Sequence, residues 1–200
     1  MGKLLTKDAF LGGSPRGKTV SMGNGSVGPM VGSDMATFAA GPAWSVEPAF
    51  HRRPGVLETT IGYAGGDLPH PTYLDVFCER SGHAEAVQVR YDRSVTSYSD
   101  LLEIFWTCHD PTQLNRQGPD IGIQYRSVIF CNNGAQMMLA RRSRDLKEQS
   151  DLFLRPIVTQ IELLQHFWRA EDTLQKQPPG PEEPQASESA KEVRKPRSGA

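Results

Sequence analysis

Four short stretches of this 200-residue chain concentrate the side chains able to do chemistry: Pro69-His70-Pro71-Thr72-Tyr73, Ser81-Gly82-His83-Ala84-Glu85, His109-Asp110-Pro111-Thr112 and Asp120-Ile121-Gly122-Ile123-Gln124-Tyr125-Arg126-Ser127. All fall in loops or at the ends of expected elements, where sites usually lie. Glu85 stands directly before an expected strand. Partial burial there raises a carboxyl's pKa and keeps it protonated near neutral pH, as a proton donor requires. A solvated carboxylate at a strand entrance explains the same position and is the commoner case. Tyr73 and Tyr125 read either as hydroxyl donors or as residues at the edge of the core whose hydroxyls reach water. Asp120, two residues before Gly122, is most simply a turn residue. The three cysteines, Cys78, Cys108 and Cys131, lack metal-type spacing and read first as reduced, mostly buried thiols.

Several elements must position these groups. Residues 35–40 form a short apolar run ending at Gly41, a buried strand entering a tight turn, and residues 44–52 then look helical. Residues 56–63 and 86–91 read as strands, the first closed by Gly65-Gly66. Ser97-x-x-Asp100 opens a helix over 97–108 with Leu101, Leu102, Phe105 and Trp106 at helical spacing. A strand over 127–131, an amphipathic helix over 135–148 and a β-branched strand over 157–164 complete the pattern. Strands interleaved with helices indicate an α/β layer arrangement without internal repeats.

Six ordered motifs, Gly62-Tyr63-Ala64-Gly65-Gly66, Pro71-Thr72-Tyr73, Gly82-His83-Ala84-Glu85, His109-Asp110-Pro111-Thr112, Asn115-Arg116-Gln117-Gly118 and Gln124-Tyr125-Arg126-Ser127, closely resemble the A-type methionine sulfoxide reductases. The resemblance covers residues 35–176 and fades after Phe167-Trp168-Arg169-Ala170-Glu171-Asp172, a worn version of a later family motif. It implies an α+β two-layer sandwich, a mixed central sheet flanked by helices in a ferredoxin-like plait. It also implies repair of oxidised methionine, free or in proteins, by a cysteine thiolate that attacks the sulfur of methionine-S-sulfoxide. Glu85 then protonates the departing oxygen, Tyr73 and Tyr125 hydrogen-bond it, Asp120 positions the polar network, and Gly41, Trp44 and His83 contact substrate. No cofactor or metal is implied; the family's reductant is thioredoxin or dithiothreitol.

The family's nucleophile lies in a Gly-Cys-Phe-Trp run at the start of a helix, and the aligned residues here are Gly41-Pro42-Ala43-Trp44. A helix N-terminus depresses a cysteine pKa through its partial positive charge and free N–H groups, whereas proline has no nucleophilic atom. Proline suits the first helical turn, so the fold is expected to survive, while Ala43 removes one of two aromatic walls around the substrate methyl. The family often has Thr where Ile123 stands and commonly Asn where His70 stands, and no cysteine follows Cys131 to serve as a resolving thiol for recycling by thioredoxin. Three readings stay open. One is a pseudoenzyme that binds the oxidised side chain or a partner; a second is an active reductase using another thiol, Cys78 being the candidate nearest the pocket. A third takes the chain as an altered form of an active parent.

The balance of 22 Lys plus Arg against 23 Asp plus Glu argues against nucleic acid or an anionic membrane as the main partner. No apolar run approaches the roughly 18 residues of a membrane span, and a secretory signal is absent from the start, so a cytoplasmic monomer is expected. Met1-Gly2-Lys3-Leu4-Leu5-Thr6 fits a myristoylation pattern, which would hold the chain to a membrane only weakly and reversibly. Eight glycines among residues 1–34 suggest a flexible leader, and Pro178-Pro179-Gly180-Pro181 opens a Pro- and charge-rich tail over 177–200. The folded domain is placed at 35–176.

Overall fold

The computed structural model describes residues 32–150 and 152–175. The myristoylation motif and nearly all of the expected leader and tail therefore lie outside the described residues. In chain order the elements are strand β1 (Ser33–Ala40), helix α1 (Ala43–His51), β2 (Val56–Ala64), α2 (Tyr73–Phe77), β3 (Ala84–Asp92), α3 (Tyr98–Thr107), β4 (Arg116–Gln117), β5 (Asp120–Ile121), β6 (Ser127–Cys131), α4 (Gly134–Gln149), β7 (Gln160–Leu163) and β8 (Phe167–Arg169). Short 3-10 turns occupy Ile123–Tyr125 and Asp172–Leu174.

The main sheet has the order β7-β6-β1-β3-β2-β8. Its inner four strands pair antiparallel with one another, and the order β6-β1-β3-β2 with crossovers through α1 and α3 is the expected plait. The β6–β7 pairing is parallel, which makes the sheet mixed. β1 starts earlier than the sequence indicated, because Ser33 and Asp34 pair with Asp92 and Tyr91. The boundary at residue 34 thus cuts a strand.

Side chains alternate between two faces, as the period of a strand requires. Ala36, Phe38 and Ala40 of β1, Val87, Val89 and Tyr91 of β3, and Ile129 and Cys131 of β6 meet the helices in the larger core. There Phe38 stacks on Phe50 of α1 at 5.0 Å and on Phe105 of α3 at 5.4 Å between centroids. Truncating such a buried ring typically costs about 3–5 kcal/mol. Trp106 Nε1 donates to Ser143 Oγ at 2.8 Å and ties α3 to α4.

The other face is lined by Ala39, Ala64, Ala84 and Ala86 with Val128 and Phe130, and is covered by Leu164 and Phe167. β7 and β8 are the two edges of the sheet, yet only residues 164–166 separate them in the chain. Four Cα steps span at most about 15 Å, whereas five strand spacings cover about 24 Å. The sheet must therefore curl until its edges approach, and small alanines line the concave side. The expected strand over 157–164 is accordingly shorter, and β8 and the five-residue α2 had no sequence signal strong enough to read.

Candidate active site

At the end of β1, Gly41 takes a φ of +104°, and a Cβ added there would lie 2.7 Å from the side chain of Gln117. Glycine serves this turn because no other residue fits both demands. Pro42 follows at φ −57° as the N-cap of α1, and its carbonyl accepts the N–H of Ser45 at 3.0 Å and the Ser45 hydroxyl at 2.8 Å. It stands one position before the first helical turn, where the sequence had placed it. The freed N–H of Ala43 is not left orphaned; it donates to Glu85 Oε2 at 2.9 Å.

Glu85 lies opposite Tyr63 in the β2–β3 register, on the face that meets the helices. Together with Pro42, Trp44, Ile61, Tyr73, Asp120, Tyr125 and Leu174, these two residues line a cavity of about 230 Å³. Burial drives the Glu85 carboxyl above the ordinary carboxylate range; the Ala43 hydrogen bond opposes this, and the charge of Asp120 adds to it. Burial, helped by the negative charge of Glu85, likewise raises the Tyr125 phenol. Glu85 and Tyr125, both shifted toward their protonated forms, therefore face one small space.

Each wall is held by a distinct local device. Tyr73 begins α2, which Thr72 and Asp75 cap reciprocally, the Asp75 N–H donating to Thr72 Oγ1 at 3.3 Å and the Thr72 N–H to Asp75 Oδ2 at 3.1 Å. Asp120 sits in the β4–β5 hairpin opposite Gln117, and Tyr125 ends the 3-10 turn that follows. That hairpin is anchored by the His109-Asp110-Pro111-Thr112 motif. The Asp110 N–H donates to Gln117 Oε1 at 3.2 Å, while Asp110 accepts from Thr112 and Gln113. His109 is tied to the Phe105 carbonyl and to Ser127 Oγ, and burial lowers its pKa to about 4.

Glu85, Tyr73, Tyr125, Asp120, Trp44 and Pro42 thus converge on one cavity. Gly41 adjoins it through the turn. His83, expected to contact substrate, does not line it. Its Nδ1 accepts the Gly66 N–H at 3.0 Å and its Nε2 faces the Leu68 carbonyl at 2.8 Å, so both ring nitrogens staple the loop after β2. Ala43 is 1% exposed and packs in the core, so the cavity's aromatic walls are Trp44, Tyr63, Tyr73 and Tyr125. His70 has a left-handed φ of 51°, a region that asparagine adopts readily.

Four contributors escaped the sequence reading. Ile61, Tyr63 and Leu174 line the cavity, and Glu171 accepts the Tyr63 hydroxyl at 3.1 Å on one oxygen and the Tyr73 N–H at 2.9 Å on the other. Burial pushes the Glu171 pKa upward, but these hydrogen bonds outweigh it and hold the carboxyl below its usual range. Gln175 bonds both the N–H and the carbonyl of Ile61, which fastens this closing segment to β2.

Among the described residues no thiol lines the cavity. Cys78 is exposed in a neighbouring groove with Phe77, Ile121 and Gln124, and Asp120 and Tyr125 are the wall between the two. The Cys108 thiol is pushed up to about 12 by burial, and burial also raises Cys131.

The family description that matches residues 34–195 is peptide methionine sulfoxide reductase. The chain belongs to that family. The match runs past the boundary expected at residue 176. The peptide methionine sulfoxide reductase MsrA of Methanoculleus marisnigri is 55% identical over 139 residues, which cover 70% of this chain and 85% of that protein. The MsrA of Geobacter sulfurreducens is 51% identical over 139 residues, 70% of this chain and 86% of that protein. Among solved structures, the methionine sulfoxide reductase A of Corynebacterium diphtheriae superposes with a TM-score of 0.69 at 33% identity, covering 73% of this chain and 74% of that one. The curled mixed sheet with few helices is therefore the fold of the MsrA type. Among the described residues no helix is long and apolar enough to cross a membrane.

Proposed function

We propose that this MsrA-type domain receives methionine sulfoxide side chains, free or in proteins, and does not reduce them by the family's thiol route. Pro42 occupies the place from which that thiol would attack. One observation carries the reading: the Glu85 carboxyl is held 2.9 Å from the Ala43 N–H beside Pro42, in a cavity whose described lining includes no thiol. A protonated Glu85 and the hydroxyls of Tyr73 and Tyr125 are suited to donate to a sulfoxide oxygen, while Trp44, Ile61 and Leu174 offer apolar surface to its methyl group. Reduction needs a further partner, a nucleophile whose electron pair attacks sulfur while the oxygen leaves protonated. The proline ring supplies no such pair.

The test is a titration of the intact protein with a blocked methionine-S-sulfoxide, followed through tryptophan fluorescence with Trp44→Phe as control, and a parallel search for methionine formed in dithiothreitol. Saturable binding without product is expected. Product that disappears in Cys78→Ser would replace this reading with a relocated nucleophile; absence of binding would mean that the cavity does not serve the sulfoxide.

A further inference from the structure

The cavity also has the makings of a site for a different head group. Four aromatic side chains, Trp44, Tyr63, Tyr73 and Tyr125, share its lining with two carboxyls, Glu85 and Asp120. Among the described residues no lysine, arginine or histidine lines it. Glu171 adds a third carboxyl behind the Tyr63 and Tyr73 walls, to which it is bonded. The guanidinium of Arg126, next in the chain to Tyr125, is committed elsewhere, to the carbonyls of Ile123 at 2.9 Å and Gly65 at 3.3 Å and to Gln160 Oε1 at 3.1 Å.

Aromatic rings attract cations through the negative potential of their faces, and walls of several rings are the usual receptor for methylated ammonium groups. Such a group differs from a sulfoxide in what it asks of a site. It donates no ordinary hydrogen bond, accepts none, and spreads its charge over methyl groups that want apolar contact and nearby negative charge. A volume of about 230 Å³ lies below the roughly 300 Å³ at which drug-sized sites begin, and so suits the head of one side chain. Pro42 contributes a hydrocarbon ring to the lining where a thiol would have brought a polar, ionisable atom.

We infer that the cavity binds methylated onium groups, with the trimethylammonium head of a modified lysine side chain as the type. This rests on the reading of the cavity as a side-chain pocket and adds a second ligand class to it. The positive head displaces no protein contact: the Ala43 N–H stays on Glu85, and Glu85 and Asp120 flank the charge. The sulfoxide calls on the Glu85 carboxyl and the phenols, whereas the onium head calls on the ring faces and on Asp120.

The experiment uses the intact protein at neutral pH and three probes read by calorimetry: blocked trimethyl-lysine, its uncharged isostere in which carbon replaces the quaternary nitrogen, and blocked methionine-S-sulfoxide. Trimethyl-lysine is expected to bind about tenfold or more tightly than the isostere. Asp120→Asn should shrink that preference several-fold while leaving the isostere's affinity in place. Equal affinity for the charged and uncharged probes overturns the inference, because it would show that only apolar area is recognised. Sulfoxide binding with no trimethyl-lysine binding overturns the inference and leaves the proposed function standing. Trimethyl-lysine binding with no sulfoxide binding does the reverse, and silence from all probes overturns both.

Discussion

Pro42→Cys puts a thiol at the N-cap of α1, beside the one carboxyl whose pKa is raised within the cavity. A helix N-terminus stabilises a neighbouring anion by up to about 2 kcal/mol, which corresponds to roughly 1.5 pKa units and would bring an ordinary thiol from about 8.5 to about 7. Pro42 already sits at φ −57°, so its replacement frees the unfolded chain and costs about 0.4–1 kcal/mol of stability. The fold should tolerate that. Ala43→Phe is best left out of the test, since Ala43 is 1% exposed and a phenyl there would overpack the core by about 1–3 kcal/mol. The assay mixes the protein with excess methionine-S-sulfoxide without reductant and measures methionine by chromatography and the oxidised cysteine by mass. The expected result is one methionine per protein, with the oxygen carried off on sulfur as a sulfenic acid. Adding Glu85→Gln should slow that turnover about a hundredfold or more, as loss of a general acid does. If the Pro42→Cys protein binds the sulfoxide yet makes no methionine, the absence of a thiol at this position is not what separates this cavity from an active one.

Three further outcomes follow from the geometry. Sulfoxide affinity should fall as pH rises through the elevated Glu85 pKa, because the ionised carboxyl loses its proton for the oxygen, and Glu85→Gln should flatten that dependence in a fluorescence titration. His109 holds its proton only below about 4, against an ordinary 6.5, so the unfolded chain binds the extra proton between those values. Stability present above pH 6.5 is then lost as pH falls toward 4, by about 3 kcal/mol in chemical denaturation, and an NMR titration giving His109 an ordinary pKa would contradict this. Gly41→Ala combines a left-handed φ with a 2.7 Å approach to Gln117 and should cost about 2 kcal/mol, read as a lowered melting temperature; an unchanged melt would mean the turn relaxes.

Much of the site was legible in the sequence because its polar residues cluster at element ends. Glu85 is the second residue of β3, Tyr73 stands in the Pro71-Thr72-Tyr73 motif, and Asp120 and Tyr125 flank Gly122. The helices α3 and α4 announced themselves through caps and periodicity, and the first shows the expected Ser97–Asp100 capping box. What escaped was decided by long-range geometry. β8 pairs with β2 only because the sheet curls, and that curl brings Leu174 to the cavity lined by Glu85, more than 80 residues earlier in the chain, with Glu171 and Gln175 bonded to its walls. No local pattern in Phe167-Trp168-Arg169 encodes such a partner. His83 went astray for the opposite reason: its place in a polar motif looked functional, but both of its ring nitrogens serve the backbone of the preceding loop.

The most direct test of the account is the unaltered protein incubated with methionine-S-sulfoxide and excess dithiothreitol, with methionine quantified beside a buffer control and the Cys78→Ser variant. The account predicts no methionine above the control in either sample, although the sulfoxide binds. Methionine that forms catalytically and vanishes with Cys78→Ser would contradict it and move the nucleophile to the groove beyond Asp120 and Tyr125.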